Sequence, residues 1–229
     1  MKKTFYLLGI LVISLSACNK NQEKTSSVNL KTKQDSVSYS LGVVIANSIQ
    51  KDNYYGDINY DAFVQGFKEF IAKNSKISAD EAEKFLKQYN ADKALSDMKK
   101  AKEENDKFMS DNAKKEGITT DENGIQYKVI KKGNGISPDT NDVVYVYYKG
   151  MLIDGTVFDS TKSDQPAKFD LSGLIPGMKM ALLKMKEGDE WEVYIPYNLA
   201  YGEYGIPNTP IKPYSTLIFD IKLDKVEKK

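Results

Sequence analysis

The chain has 229 residues, 41% of them hydrophobic, enough for one or two domains with buried cores. It holds no histidine, no arginine and a single cysteine, which excludes Ser-His-Asp and Cys-His nucleophilic machinery and His/Cys metal sites. Its 33 basic residues, all lysine, balance 32 acidic ones, so the bidentate arginine grip on phosphate or guanine is absent and no nucleic-acid partner is expected.

The N-terminus reads as a targeting segment. Lys2 and Lys3 precede an apolar stretch, Thr4 to Ala17, too short to cross a bilayer as a helix of about 20 residues. Leu15-Ser16-Ala17-Cys18 closes that stretch with small residues before the sole cysteine, a pattern that resembles the lipobox of bacterial lipoproteins. The resemblance implies a signal peptide over 1–17, cleavage before Cys18 and a lipid anchor on Cys18. On the residues alone, an ordinary secretory signal with an incidental cysteine is the alternative. With one cysteine, no disulfide can form within the chain. Residues 18–34 read as a polar, flexible tether. Asn-Lys-Asn-Gln-Glu-Lys after Cys18 has no acidic run and no Asp beside the cysteine, so the anchor is expected in the outer membrane, facing the periplasm.

From 35 to 116 the apolar spacing is helical. Val37, Leu41, Val44, Ile45 and Ile49 form one stripe, and Phe63, Phe67, Phe70 and Ile71 form a second after Gly56 and an N-cap candidate, Asn59. A third helix is predicted over 78–116. It starts at the capping box Ser78-Ala-Asp-Glu81 and carries Phe85, Leu86, Tyr89, Leu95, Met98, Ala101, Phe108, Met109 and Ala113, with Gly117 as its stop. At about 1.5 Å per residue this is a rod of roughly 57 Å. Two short helices of the same chain cannot cover so long an apolar stripe, so a partner is expected to cover the rest; a monomeric helical subdomain or a charged linker is the alternative.

Beyond Gly117 the period becomes two. Ile125 to Val129, Val143 to Leu152, Trp191 to Ile195 and Ser215 to Val226 read as strands, and one helix fits among them, from Pro176 to a C′ glycine at Gly188. The fold class is therefore α+β: a C-terminal antiparallel sheet wrapped around one short helix, preceded by an all-α domain with a long connecting helix.

Five segments stand in order along this region: Val146-Tyr-Tyr-Lys-Gly-Met-Leu152, Gly155-Thr-Val-Phe-Asp-Ser160, Leu174-Ile-Pro-Gly-Met178, Tyr201-Gly202-Glu203-Tyr204-Gly205-Ile206-Pro207 and Ser215-Thr-Leu-Ile-Phe-Asp220. Together they resemble the FKBP-type peptidyl-prolyl cis/trans isomerases over about residues 124–226. The helical pair, the long helix, Tyr39-Ser-Leu-Gly42 and Gly124-Ile-Gln-Tyr-Lys-Val129 resemble, within that family, the macrophage-infectivity-potentiator class. In that class the N-terminal helices interlock two chains and the long helices hold two catalytic domains apart as a V. The domain plan implied is 35–116 for dimerisation and 117–229 for isomerisation.

The resemblance implies a catalytic group of Asp159, Tyr201 and Phe158 and a substrate pocket of Tyr148, Leu174, Ile175, Met178, Ile211 and Phe219, with no cofactor and no metal. Phe158 and Phe219 are expected to wall the proline ring, with Tyr148 beside them. The Ile175 N–H and the Tyr201 hydroxyl are expected to hold substrate carbonyls. Asp159 is expected to pair with the Tyr148 hydroxyl and to present the one fixed negative charge. Two departures from the family stand out. Met178 replaces a pocket-floor tryptophan, and Pro166-Ala167 lacks a second phenylalanine, which implies a wider, softer pocket and weakened binding of macrolide inhibitors. The expected partners are proline-containing unfolded or nascent envelope proteins and a second copy of the chain; an FKBP-shaped chaperone of weak or lost catalysis is the alternative function.

Overall fold

The computed structural model describes residues 28–52 and 55–229; the signal peptide, Cys18 and residues 19–27 of the tether lie outside the described residues. The chain divides into two compact units, 1–76 and 77–229.

The first unit contains α1 (Lys33–Asp52) and α2 (Tyr60–Ile71). α1 begins slightly earlier than its apolar stripe suggests, because Thr32 and Asp35 cap it reciprocally. The Asp35 N–H donates to the Thr32 hydroxyl at 3.0 Å and the Thr32 N–H donates to the Asp35 carboxylate at 2.8 Å. Asn59 caps α2 as expected, its side chain accepting from the Ala62 N–H at 3.0 Å. Among the described residues neither helix buries one: Leu41 and Val44 are each 60% exposed and Phe67 is 60% exposed.

The second unit opens with α3 (Ala79–Asn112), 34 residues long, or about 51 Å. The predicted capping box is present, with Ser78 and Glu81 satisfying each other's backbone N–H. The helix stops short of Gly117. Its C-cap is Ala113, and Gly117, at φ +79°, serves the turn that follows. Five Lys-to-Asp/Glu pairs at i,i+4, from Lys93–Asp97 to Lys107–Asp111, are distributed along it. Each contributes little, since exposed pairs add about 0.3–0.5 kcal/mol and lysine-first is the weaker order. The buried residues of α3 are Asn105 and Asn112.

Seven strands follow: β1 (Thr119–Thr120), β2 (Gln126–Lys131), β3 (Val143–Met151), β4 (Val157–Ser160), β5 (Ala167–Asp170), β6 (Glu190–Ile195) and β7 (Leu217–Glu227). All pairings are antiparallel, in the order β1-β2-β6-β7-β3-β4, with β5 also pairing β3. One helix, α4 (Pro176–Lys184), lies in the concavity. It enters through a proline in its first turn and ends at Met185, so Gly188 belongs to the following turn rather than to the helix cap. Met178, Ala181 and Leu182 of α4 and Met185 just after it join Val144, Val146, Val193, Ile195, Leu217, Phe219 and Leu223 in one buried cluster. Gly177 sits where a Cβ would fall 2.2 Å from Ile195 Cγ2, so α4 lies against β6 as closely as backbone allows.

Alternation assigns the faces of the sheet. On β7, Leu217, Phe219, Ile221 and Leu223 are buried toward α4, while Asp220, Lys222 and Asp224 point to the other side. That outer face receives the last turns of α3. The Asn112 side-chain amide donates to Gln126 Oε1 at 2.9 Å, Gln126 Nε2 donates to the Met109 carbonyl at 2.8 Å, and the Phe108 ring lies 6.0 Å from that of Tyr194.

Candidate active site

The site is assembled at the rim of the concave face by a defect in strand pairing. β4 pairs with β3 as Lys149↔Ser160 and Gly150↔Asp159, then slips so that Met151 faces Val157. Phe158 is therefore the extra residue of a bulge, and the bulge re-aims its ring toward β3 and β7. The ring has room because of Gly150. A Cβ there would approach Phe158 Cε2 and Cζ to 2.6 Å and Phe219 Cε1 to 3.0 Å. Gly150 is paired directly across from Phe219 on β7, so the missing side chain opens the slot between the two rings. Phe158 and Phe219 meet edge to face, centroids 5.6 Å apart at 87°. Such pairs add about 0.5–1.5 kcal/mol beyond their buried area.

Tyr148 extends the aromatic wall. Its ring lies 6.2 Å from Phe219 and 5.7 Å from Phe169 of β5. Thr161 pins its backbone from the strand beyond, accepting from the Tyr148 N–H at 3.1 Å and donating its own N–H to the Tyr148 carbonyl at 3.0 Å. The Tyr148 hydroxyl donates to Asp159 Oδ2 at 2.5 Å. Burial pushes the Tyr148 phenol above its ordinary range, and the hydrogen bond and charge of Asp159 and the nearby Tyr201 phenol push it the same way. The phenol keeps its proton and remains a donor throughout the neutral range. Lys162 turns back on its own loop, where its carbonyl accepts from the Gln165 N–H.

The remaining residues singled out in the sequence converge here. Met178 and Ile211, 6% and 5% exposed, lie with Phe219 in the buried cluster, and Leu174, Ile175, Tyr148 and Phe158 pack against it half-buried. Ile175 is the N-cap of α4, and no side chain caps that end of the helix. Tyr201 is 40% exposed and follows a short 3-10 turn, Tyr197–Leu199. The loop after it folds back tightly. The Ile206 N–H donates to the Ile211 carbonyl at 2.9 Å, and Gly205, at φ +63°, leaves no space for a Cβ beside that carbonyl. Trp191 is buried in the same cluster and stacks on Tyr127 at 4.4 Å.

Sequence reasoning passed over Gly150, Phe169 and the bulge. Gly150 had a signal, being a glycine in the middle of a strand, where close approach or a kink is its usual reason. An open concavity of about 570 Å³ shares Tyr148 and Thr161 with this rim and continues past Trp191 and Ile221 to Lys149, Asp220 and Lys222.

The rim thus brings together an edge-to-face pair of phenylalanines, one buried and one half-buried, a tyrosine bonded to a carboxylate, and a helix start that no side chain caps. Residues 135–224 match the family described as FKBP-type peptidyl-prolyl cis-trans isomerase, and residues 34–129 match the domain described as amino-terminal to it. The chain belongs to the FKBP-type peptidyl-prolyl cis/trans isomerases and is an enzyme of that class. Over 237 residues, 100% of this chain and 99% of the relative, it is 37% identical to "Outer membrane protein MIP" of Legionella longbeachae. It is 40% identical over 209 residues to "Peptidyl-prolyl cis-trans isomerase Mip" of Coxiella burnetii, covering 87% of this chain and 90% of that protein. The crystal structure of FkpA from Escherichia coli superposes with a TM-score of 0.71 at 31% identity, covering 86% of this chain and 98% of FkpA.

Proposed function

We propose that this isomerase accelerates X-Pro rotation in unfolded or nascent proteins of the cell envelope. The observation that carries the reading is the Phe158–Phe219–Tyr148 wall with Asp159 bonded to Tyr148 at its edge. Rotation about an X-Pro amide passes through a twisted state that has lost resonance, about 18–20 kcal/mol above the planar forms. In that state the carbonyl carries less negative charge, so an enclosure that strips water from it favours the twisted form over the planar one. Phe158 and Phe219 hold the proline ring, over a floor formed by Met178 and Ile211. The Ile175 N–H, at the positive end of α4, and the Tyr201 hydroxyl hold the flanking carbonyls. Asp159 presents its charge to the twisting amide and keeps Tyr148 oriented. Met178 leaves the floor softer than a tryptophan would, so macrolide inhibitors bind weakly.

The helices supply the second half of the reading. α1, α2 and the first half of α3 each carry an uncovered apolar stripe: Val37, Leu41, Val44 and Ile45, then Phe63, Phe67 and Phe70, then Phe85, Leu86 and Leu95, all exposed by 42% or more. A second copy of the chain covers these stripes, making residues 35–116 the dimerisation domain and presenting two catalytic domains to one client. Cys18 carries the lipid that holds the dimer to the outer membrane, on its periplasmic side.

The test is a protease-coupled proline-peptide assay, run with full-length protein alongside refolding of a proline-limited substrate. Acceleration of both is expected. Aggregation suppressed without peptide turnover would instead favour the chaperone reading, in which Met178 marks a degraded pocket.

A further inference from the structure

We infer that α3 is more than an arm: its last turns form a positioning clamp for the loop that carries Tyr201, with Asn105 as the central residue. The inference rests on the reading that Tyr201 faces the substrate.

Asn105 is 7% exposed and makes two hydrogen bonds that fix its orientation. Its amide donates to the Ala101 carbonyl at 2.8 Å, one turn back on α3, and its Oδ1 accepts from the Thr216 N–H at 2.7 Å, 111 residues away in sequence. The first bond orients the side chain; the second fastens the segment entering β7. Buried N–H groups need partners, and Thr216 precedes Leu217 and Phe219 by one and three residues, so this contact anchors the strand that bears a pocket wall.

One turn of α3 earlier, the Lys102 ammonium lies 5.6 Å from the centre of the Tyr197 ring, which meets Tyr214 edge to face at 5.0 Å. Tyr214 is held at φ +59°, a conformation that bulky residues adopt only when their surroundings impose it. From these two tyrosines, backbone bonds run straight to the site. The Gly202 N–H donates to the Tyr197 carbonyl at 2.8 Å, and the Tyr214 N–H donates to the Gly202 carbonyl at 3.1 Å. Tyr201 sits between Ala200, whose N–H also donates to Tyr197, and Gly202.

The seam between α3 and this segment is otherwise thinly packed. A cavity of about 470 Å³ lies among Asp106, Met109, Ser110 and Ala113 on the helix and Pro196, Tyr197 and Thr216 opposite. A few polar bonds, rather than a continuous apolar interface, set where the loop lies. Shifting α3 along its axis would break the Asn105–Thr216 bond first and release the segment 197–216 at both ends.

The test compares the full-length protein with its Asn105→Ala, Asn105→Asp and Tyr201→Phe variants by site-resolved amide exchange and by kcat/KM on a proline tetrapeptide. Asn105→Ala is expected to speed exchange at Gly202, Tyr214 and Thr216 by about tenfold or more, with Val144 and Val146 in β3 unchanged. It is also expected to lower kcat/KM about three- to tenfold. Asn105→Asp keeps the acceptor for the Thr216 N–H but loses the donor to the Ala101 carbonyl, so it recovers part of both. The inference is overturned if exchange rises equally in β3, if Asn105→Asp is as impaired as Asn105→Ala, or if the loop loosens without loss of kcat/KM while Tyr201→Phe is impaired. A silent Tyr201→Phe would instead strike the substrate-facing role of Tyr201, and the premise of the inference with it.

Discussion

Replacing Gly150 by alanine should harm catalysis far more than folding. The new Cβ would lie 2.6 Å from two Phe158 ring carbons and 3.0 Å from Phe219 Cε1. Unstrained carbon pairs sit at about 3.5–4.0 Å, so something must move by about 1 Å. Phe219 is 5% exposed and locked in the core, whereas Phe158 is half-buried on a short edge strand, so Phe158 yields. Folding then loses the edge-to-face contact, about 0.5–1.5 kcal/mol, within the range of about 1–3 kcal/mol usual for overpacking. At roughly 2–4 °C per kcal/mol in a chain of this size, the melting temperature should fall by only a few degrees. A wall displaced by about 1 Å in a site that works by enclosure can lose on the order of a hundredfold in kcat/KM. Thermal melts and the tetrapeptide assay on one preparation would measure both. A folded Gly150→Ala enzyme with kcat/KM within about twofold of wild type would refute the slot between β3 and β7 as the proline site.

Other consequences follow from the same geometry. Met178→Trp, placed in a floor only 6% exposed, should tighten macrolide binding by about tenfold if the floor is soft, with the melting temperature held or lowered by a few degrees from overpacking; unchanged inhibitor affinity would remove Met178 from the floor. In acid, the bond from Lys228 to Asp142, together with the Asp139 N–H, depresses the Asp142 carboxyl below its ordinary value. The stability this provides is present above the unfolded value of about 3.9 and is lost as pH falls through and below it, so melts should drop below about pH 4 and the Asp142→Asn substitution should flatten that drop. Shortening the chain to begin at residue 77 should weaken or abolish the proposed self-association by light scattering while tetrapeptide turnover persists. Deletion through 115 should additionally lower the melting temperature of the domain, since the Thr216 N–H and Gln126 exchange their α3 partners for water.

Much of this was legible in the residues because local chemistry and tertiary role agree there. The capping box at Ser78, the Asn59 cap and the proline entry to α4 each specify an element boundary by themselves, and each stands where its residues place it. Long strands with strict alternation, such as β7, also declare themselves. The aromatic residues of the proposed site stood out as a set only through the family resemblance, since any one of them alone reads as core. What remained hidden depends on partners far away in sequence. β4 and β5 have four residues each, too few for a period to show, and the bulge at Phe158 exists only relative to β3. Asn105 and Asn112 interrupt the apolar stripe of α3 between Ala101 and Phe108 and after Met109, and look like solvated gaps until Thr216 and Gln126 are seen opposite them. For the same reason the apolar stripe of α3 reads as awaiting a partner along its length, whereas its last turns dock on the outer face of the sheet.

The central claim, that the edge-to-face wall and its bonded carboxylate catalyse X-Pro rotation, is tested most directly by kcat/KM of the full-length protein and its Phe158→Ala and Asp159→Ala variants on one proline tetrapeptide. The account predicts rapid turnover by the wild type, a loss of about a hundredfold for Phe158→Ala as the enclosure opens, and a smaller but clear loss for Asp159→Ala with little change in melting temperature. Wild-type turnover by both variants, each folded, would contradict it.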